Sequence, residues 1–182
     1  MINERIILSG FGGQGVLSLG QIISLTAMNA DKHTTWIPAY GAEMRGGTAN
    51  VQVIYSDQKV GSPIIKTNIT TLIAMNQPSI DKFIDNVVSG GLVLVNSSVV
   101  TDKVEREDVE VLYIDATDIA SAIGNPKVQN MVMLGTYLKA RPNFTIEQVE
   151  ATFNYKFTGG KAKFIPLNME AVKQGMEKSF KK

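Results

Sequence analysis

The sequence predicts one α/β domain over residues 1–182, with a mostly parallel or mixed sheet and helices on both faces. Three observations predict it. Short, nearly unbroken apolar runs at residues 6–8, 70–75, 92–95 and 109–114 read as strands buried on both sides. Segments with helical spacing alternate with these runs, the pattern of helices layered on a sheet. A glycine-rich stretch, SGFGGQG at residues 9–15, joins the first run to the first helix.

In chain order, Ile6-Ile7-Leu8 leads through the glycines to a helix over residues 16–30. Its apolar positions Val16, Leu17, Leu19, Ile22, Ile23 and Leu25 cover much of its circumference, while Ser18, Gly20 and Ser24 allow close packing on a sheet. A second strand at residues 34–37 is expected to stop at Pro38. AYGAEMRGG, residues 39–47, then leads into TANVQVIYS, where alternating Val51, Val53 and Tyr55 mark a strand. That connection is too short for a helical crossover, so the second and third strands are expected to be antiparallel or in different sheets.

The strand at 70–75 leads to a helix with Ile80, Phe83, Ile84, Val87 and Val88 on one face, ended by Gly90-Gly91. Strands at 92–95 and 109–114 flank a charged surface stretch at 101–108, and a short helix follows at 116–123. Asn125-Pro126 supplies a cap and a first-turn proline for a helix running to Ala140. Thr145-x-x-Gln148 has the spacing of a capping box for a helix burying Ile146, Val149 and Phe153. A last helix over 169–180 buries Met169, Val172 and Met176.

Composition narrows the function. Hydrophobic residues at 44% and charged residues at 19% suit a globular domain with a core. A formal charge of +1 offers no electrostatic case for nucleic acid or an anionic membrane. The chain has no cysteine, which excludes disulfides, a cysteine nucleophile and any thiolate-held cluster or zinc. MINERIILSG has only three apolar residues in a row before Ser9, too few for a secretory h-region, and the expectation is a cytoplasmic protein that does not enter the membrane. His33 is the only histidine and has no clustered acids; Ser9, Ser97 and Ser98 have no evident base. No catalytic constellation and no metal-ligand spacing emerge, so the chain reads as part of an enzyme rather than the whole of one.

If the strands are assigned correctly, four unusual loops leave the sheet at one edge, where α/β sheets bind ligands and partners. The first holds Gly10, Gly12, Gly13, Gln14 and Gly15. The second holds Tyr40, Gly41, Glu43, Met44, Arg45, Gly46 and Gly47. Asn76 and Gln77 open the third, Asn96 and Ser97 the fourth. Gly10-x-Gly12-x-x-Gly15 also fits a dinucleotide fingerprint, yet Ile37-Pro38-Ala39-Tyr40 ends the second strand without the acid that holds a ribose. Three readings of the glycines remain: a dinucleotide-binding reductase, a tight turn that docks the helix, or a loop approaching another ligand or a partner chain. Arg45 beside Gly46-Gly47 offers a planar fork to a carboxylate or phosphate.

Five motifs in order carry a resemblance: GFGGQG, WIPAYGAEMRGGTANVQV, IAMNQPSIDKF, GGLVLVNSS and GNPKVQNMVMLGTYL. Together they resemble the gamma subunit of 2-oxoacid:ferredoxin (acceptor) oxidoreductases over nearly the whole chain. The YGxEMRGGTAN and NQPSxDKF segments are most similar to the 2-oxoglutarate, KorC-type branch, with departures at Ala39 and Ala42, where Ser and Pro are expected. The resemblance implies a Rossmann-like gamma domain in a complex that decarboxylates a 2-oxoacid, acylates coenzyme A and reduces ferredoxin or another acceptor. It places thiamine diphosphate, Mg and iron–sulfur clusters in alpha, beta and delta partners, with none bound by this chain alone. It implies that this chain supports assembly and shapes the site, with Tyr40, Glu43 and Arg45 reaching across.

Overall fold

The computed structural model describes residues 1–40, 48–178 and 180–181. Strand β1 (Asn3–Phe11) is buried on both faces, with Ile6 and Leu8 turned into one apolar cluster and Ile7 into the other. Strand β2 (His33–Tyr40) follows helix α1 (Val16–Asn29), and β3 (Thr48–Ser56) returns antiparallel to it. Strands β4 (Ile69–Ala74), β5 (Val87–Asn96) and β6 (Glu110–Ile114) run parallel to β1, and β7 (Phe180–Lys181) pairs antiparallel with β6. Among the described residues the strand order is β2-β3-β1-β4-β5-β6-β7, one mixed sheet of seven strands. Of the two expected arrangements, antiparallel pairing or separate sheets, the second and third strands take the first, and β3 lies between β1 and β2.

The two faces are covered unequally. One face carries α1, α3 (Ala116–Ala122), α4 (Gln129–Ala140), α5 (Ile146–Lys156) and α6 (Ile165–Lys178), packed on Ile6, Leu8, Val51, Val53, Leu92 and Leu94. The other has, among the described residues, the α-helix α2 (Gln77–Phe83) with apolar residues of the 57–68 and 99–109 segments, over Ile7, Leu72, Val93 and Val95. Helices α4 and α6 approach very closely through facing glycines. A Cβ on Gly135 would lie 1.9 Å from the Val172 carbonyl oxygen, and one on Gly175 would lie 2.0 Å from that of Val132. The capping box of α5 forms as read: Gln148 N–H donates to Thr145 Oγ1 at 3.3 Å, and Thr145 N–H donates to Gln148 Oε1 at 2.9 Å.

Several boundaries differ from the sequence reading, each for a physical reason. Pro38 does not stop β2; the strand continues because it is at the sheet edge, where a residue lacking N–H is tolerated. Helix α2 ends at Phe83, a 3₁₀ turn covers Ile84–Asn86, and Val87 and Val88 already belong to β5. Apolar spacing alone could not separate a helix end from the start of a β-branched strand. Gly90-Gly91 lies inside β5 at an irregularity in its pairing with β4, with Gly90 at φ 75° donating to the Asp108 carbonyl at 2.6 Å. Asn125-Pro126 opens a 3₁₀ turn, Pro126–Val128, before α4. The last helix begins at Ile165, with Pro166 in its first turn, and ends at Lys178.

Candidate functional site

The carboxyl ends of the parallel strands lie side by side, through the pairs Ser9↔Ala74, Ala74↔Val95 and Asn96↔Ile114. The end of β2 and the start of β3 share that edge, since Tyr40 pairs with Ala49 and Thr48 with Phe11. One rim thus gathers the glycine turn, residues 76–78, residues 97–98 and both described ends of the 39–47 connection. Gly41, Glu43, Met44, Arg45, Gly46 and Gly47 lie outside the described residues, as does the side chain of Tyr40.

Gln14 fastens the glycine turn. Its Oε1 accepts from Phe11 N–H at 2.7 Å, and its Nε2 donates to the Met75 carbonyl at 2.9 Å, tying the end of β1 to the end of β4. Met75 N–H donates to the Ser9 carbonyl at 2.8 Å beside it. Gly10 falls within β1 rather than in the turn, and a Cβ there would sit 2.6 Å from Gln14 Oε1 and 2.8 Å from Met75 Cβ. Gly15 takes φ 75° as the cap of α1, and Asn130 Nδ2 donates to its carbonyl at 3.1 Å. A Cβ on Gly15 would collide with that Asn130 amide at 2.5 Å. Gly13, at φ 97°, meets nothing; only its backbone conformation demands glycine. Phe11, Gly12 and Gly13 are exposed, and with Leu17 and Ala49 they line a shallow hollow of about 280 Å³.

The next turn is polar and buried. Asn76 Oδ1 caps α2 by accepting from Ser79 N–H at 3.0 Å and from Ser79 Oγ at 2.5 Å, and the Ser79 hydroxyl lies 2.9 Å from that of Ser9. Gln77 Nε2 donates to Asp81 at 2.8 Å. Asn76 Nδ2 and Gln77 Oε1 are buried without a hydrogen-bond partner among the described residues. An unpaired buried amide group costs about 1–3 kcal/mol, so this corner gains from any group that supplies an acceptor and a donor.

Asn96 is fully buried and fully used. Its Oδ1 accepts from Ala116 N–H at 3.1 Å, and its Nδ2 donates to Thr117 at 3.0 Å and Gln129 at 3.3 Å. It therefore positions α3 and α4 rather than facing a ligand. Ser97 donates to Asp115, and Ser98 donates to Asp118 at 3.0 Å. Sequence reading weighs Ser9 only as a nucleophile and does not single out Ser79, Asp115, Gln129 or Asn130 for the loops they hold. Only Ser79 carried a signal, three residues after the capping Asn76.

The geometry opposes a dinucleotide site. Such a site needs the ribose-binding acid on the strand next to β1, but the neighbours of β1 are β3 and β4, and β2 ends at Tyr40 without a carboxylate. The described carboxylates near the rim are each hydrogen-bonded, Asp115 and Asp118 to serines and Asp81 to Gln77. No three His, Cys, Asp or Glu side chains converge as a metal site among the described residues, and no described helix is long and apolar enough to cross a membrane. What the rim does offer is exposed glycine backbone, a shallow apolar hollow and unpaired amides.

Comparison with known proteins places this architecture. Residues 5–178 match the pyruvate ferredoxin/flavodoxin oxidoreductase family. The ketoisovalerate oxidoreductase subunit VorA of Methanothermobacter thermautotrophicus is 38% identical over 174 residues, 95% of this chain. The match spans only 36% of VorA, so the chain corresponds to about a third of that relative's length. The 2-oxoglutarate synthase subunit KorC of Methanocaldococcus jannaschii is 38% identical over 153 residues, 82% of this chain and 81% of KorC. The crystal structure of the keto/oxoacid ferredoxin oxidoreductase gamma subunit from Geobacter sulfurreducens superposes with a TM-score of 0.80 at 28% identity, over 96% of each chain. The chain belongs to the pyruvate ferredoxin/flavodoxin oxidoreductase family.

Proposed function

We propose that this chain is the gamma component of a multi-chain 2-oxoacid oxidoreductase, which releases CO2, acylates coenzyme A and passes electrons to ferredoxin or a similar acceptor. The observation that carries the reading is the family match over residues 5–178, joined to a rim whose groups suit docking rather than chemistry. The chain supports assembly and shapes the enclosed site, and is inactive alone. With no cysteine and no converging carboxylates among the described residues, it does not fit the iron–sulfur clusters or the Mg and thiamine diphosphate of such an enzyme. Those groups are assigned to alpha, beta and delta partners. Rim docking is supported by exposed Gly12 and Gly13 and by Asn76 Nδ2 and Gln77 Oε1, which have no hydrogen-bond partner among the described residues. Tyr40, Glu43 and Arg45 are assigned to the same contact; Arg45→Ala is expected to weaken assembly or coenzyme A use while the chain still folds.

Two substrate readings each have support. KorC, matched over most of its length, supports 2-oxoglutarate; VorA, matched over more of this chain, supports a branched-chain 2-oxoacid. The test is purification of the tagged chain from its native host, followed by acceptor-dye reduction with coenzyme A and either 2-oxoglutarate, ketoisovalerate or pyruvate. Co-purifying subunits with 2-oxoacid-dependent turnover are expected. A chain that purifies alone, or reduces the dye unaided, overturns the reading.

A further inference from the structure

Beside the glycine turn, where Ser18 and the Gly15-bonded Asn130 form part of its wall, the helical layer has a hollow of about 380 Å³ among α1, α4, α6 and the 157–164 connection between α5 and α6. Its floor is apolar: Val128, Met131, Phe157, Phe164 and Leu167, with Phe164 45% exposed. Lys127 and Lys161 stand at its margin, both exposed, and no Asp or Glu among the described residues lines it. Neither lysine has an ion-pair partner among the described residues. Lys156, close by, has its ammonium disfavoured by partial burial and then by the charge of Lys161. Lys163 lies over the Phe164 ring at 5.2 Å. In a chain of net charge +1, this is a local excess of positive charge around an exposed apolar floor. An aromatic and aliphatic centre with charge at its margin has the anatomy of a protein-binding patch.

We propose that this hollow docks an acidic segment of a partner polypeptide, an apolar side chain entering the floor and carboxylates pairing with Lys127 and Lys161. Charge complementarity selects the occupant: a neutral apolar segment leaves the lysines repelling one another, and a basic one adds to that repulsion. Carboxylates at the margin also steer encounter and reject wrong partners. The proposal rests on the assembly reading above, and extends the contact from the glycine turn onto the helical layer beside it.

The test uses the assembled complex. A zero-length carbodiimide joins amines to carboxylates only where they already touch. It is expected to link Lys127 or Lys161 to an Asp or Glu of another subunit. The double variant Lys127→Glu/Lys161→Glu is expected to lose that link and to retain partner subunits about tenfold less well, while the isolated variant keeps its melting temperature. Both lysines staying freely acetylated within an intact complex overturns the proposal but leaves the assembly reading standing. Links confined to second copies of this chain also overturn it. So does protection from acetylation that dialysis removes without loss of subunits, the result for a small anion. If no complex is recovered at all, the assembly reading itself fails, and the docking proposal fails with it.

Discussion

Replacing Gln14 with alanine tests whether the glycine turn is held by its own backbone or by one side chain. The amide makes two hydrogen bonds, to Phe11 N–H at 2.7 Å and to the Met75 carbonyl at 2.9 Å, across 61 positions of sequence in the second case. Phe11 is 39% exposed, so water replaces its bond at little loss. Met75 is fully buried, and its carbonyl is left with poorer partners. One net hydrogen bond plus a partly orphaned carbonyl amounts to about 2 kcal/mol. For a domain of this size, that corresponds to a melting temperature lower by about 4–8 °C. Differential scanning calorimetry on the isolated chain reads the shift, and hydrogen exchange at Phe11 and Met75 reads its location. Faster exchange of the Phe11 amide is expected with the rest of the sheet protected. An unchanged melting temperature and unchanged exchange at Phe11 would refute the staple.

The α4–α6 contact predicts that Gly175→Ala destabilises by about 3 kcal/mol, because a methyl 2.0 Å from the Val132 carbonyl forces the helices apart and outweighs the gain in helix propensity. Gly160→Ala, in open space, is its control and should leave the melting temperature nearly unchanged. Tyr55→Phe removes the hydroxyl bonded to Tyr137 and accepting from Asn143 Nδ2 at 2.9 Å, and should cost about 1–3 kcal/mol by chemical denaturation. Burial raises both phenols above the ordinary tyrosine value, so their contribution is present below about pH 10 and lost as pH rises past it. Absorbance at alkaline pH should therefore show two of the five tyrosines ionising only as the chain unfolds. At the acid end, Asp57 bonded to Lys32 and Asp108 bonded to Arg106 are held below the usual carboxylate range. Their small stabilisation is lost as pH falls below about 4, and Asp57→Asn/Asp108→Asn should flatten that limb in thermal melts.

Where a signal was local, the sequence carried it. The Thr145–Gln148 capping box, the antiparallel return of β3 and the buried strands follow from spacing and connection length within a few residues. Where the outcome depended on neighbours, the signal was missing. Pro38 reads as a stop until the strand is known to lie at the edge. Val87 and Val88 fit a helical face until pairing with β4 makes them a strand. The rim divides the same way. Its glycines and asparagines stand out by composition, but the roles of Gln14 and Asn130 arise from contacts 61 and 115 positions apart. Asn96, conspicuous at the end of a buried strand, turns out to serve the interior.

Hydrogen–deuterium exchange of this chain, free and within the complex purified from its host, tests the central claim most directly. The account predicts slowed exchange on assembly at the backbone amides of residues 11–15 and of Asn76, Gln77 and Ser79, with the sheet interior unchanged. Equal exchange of those amides in both states would contradict it, because the strand-end surface would then face solvent in the proposed assembly.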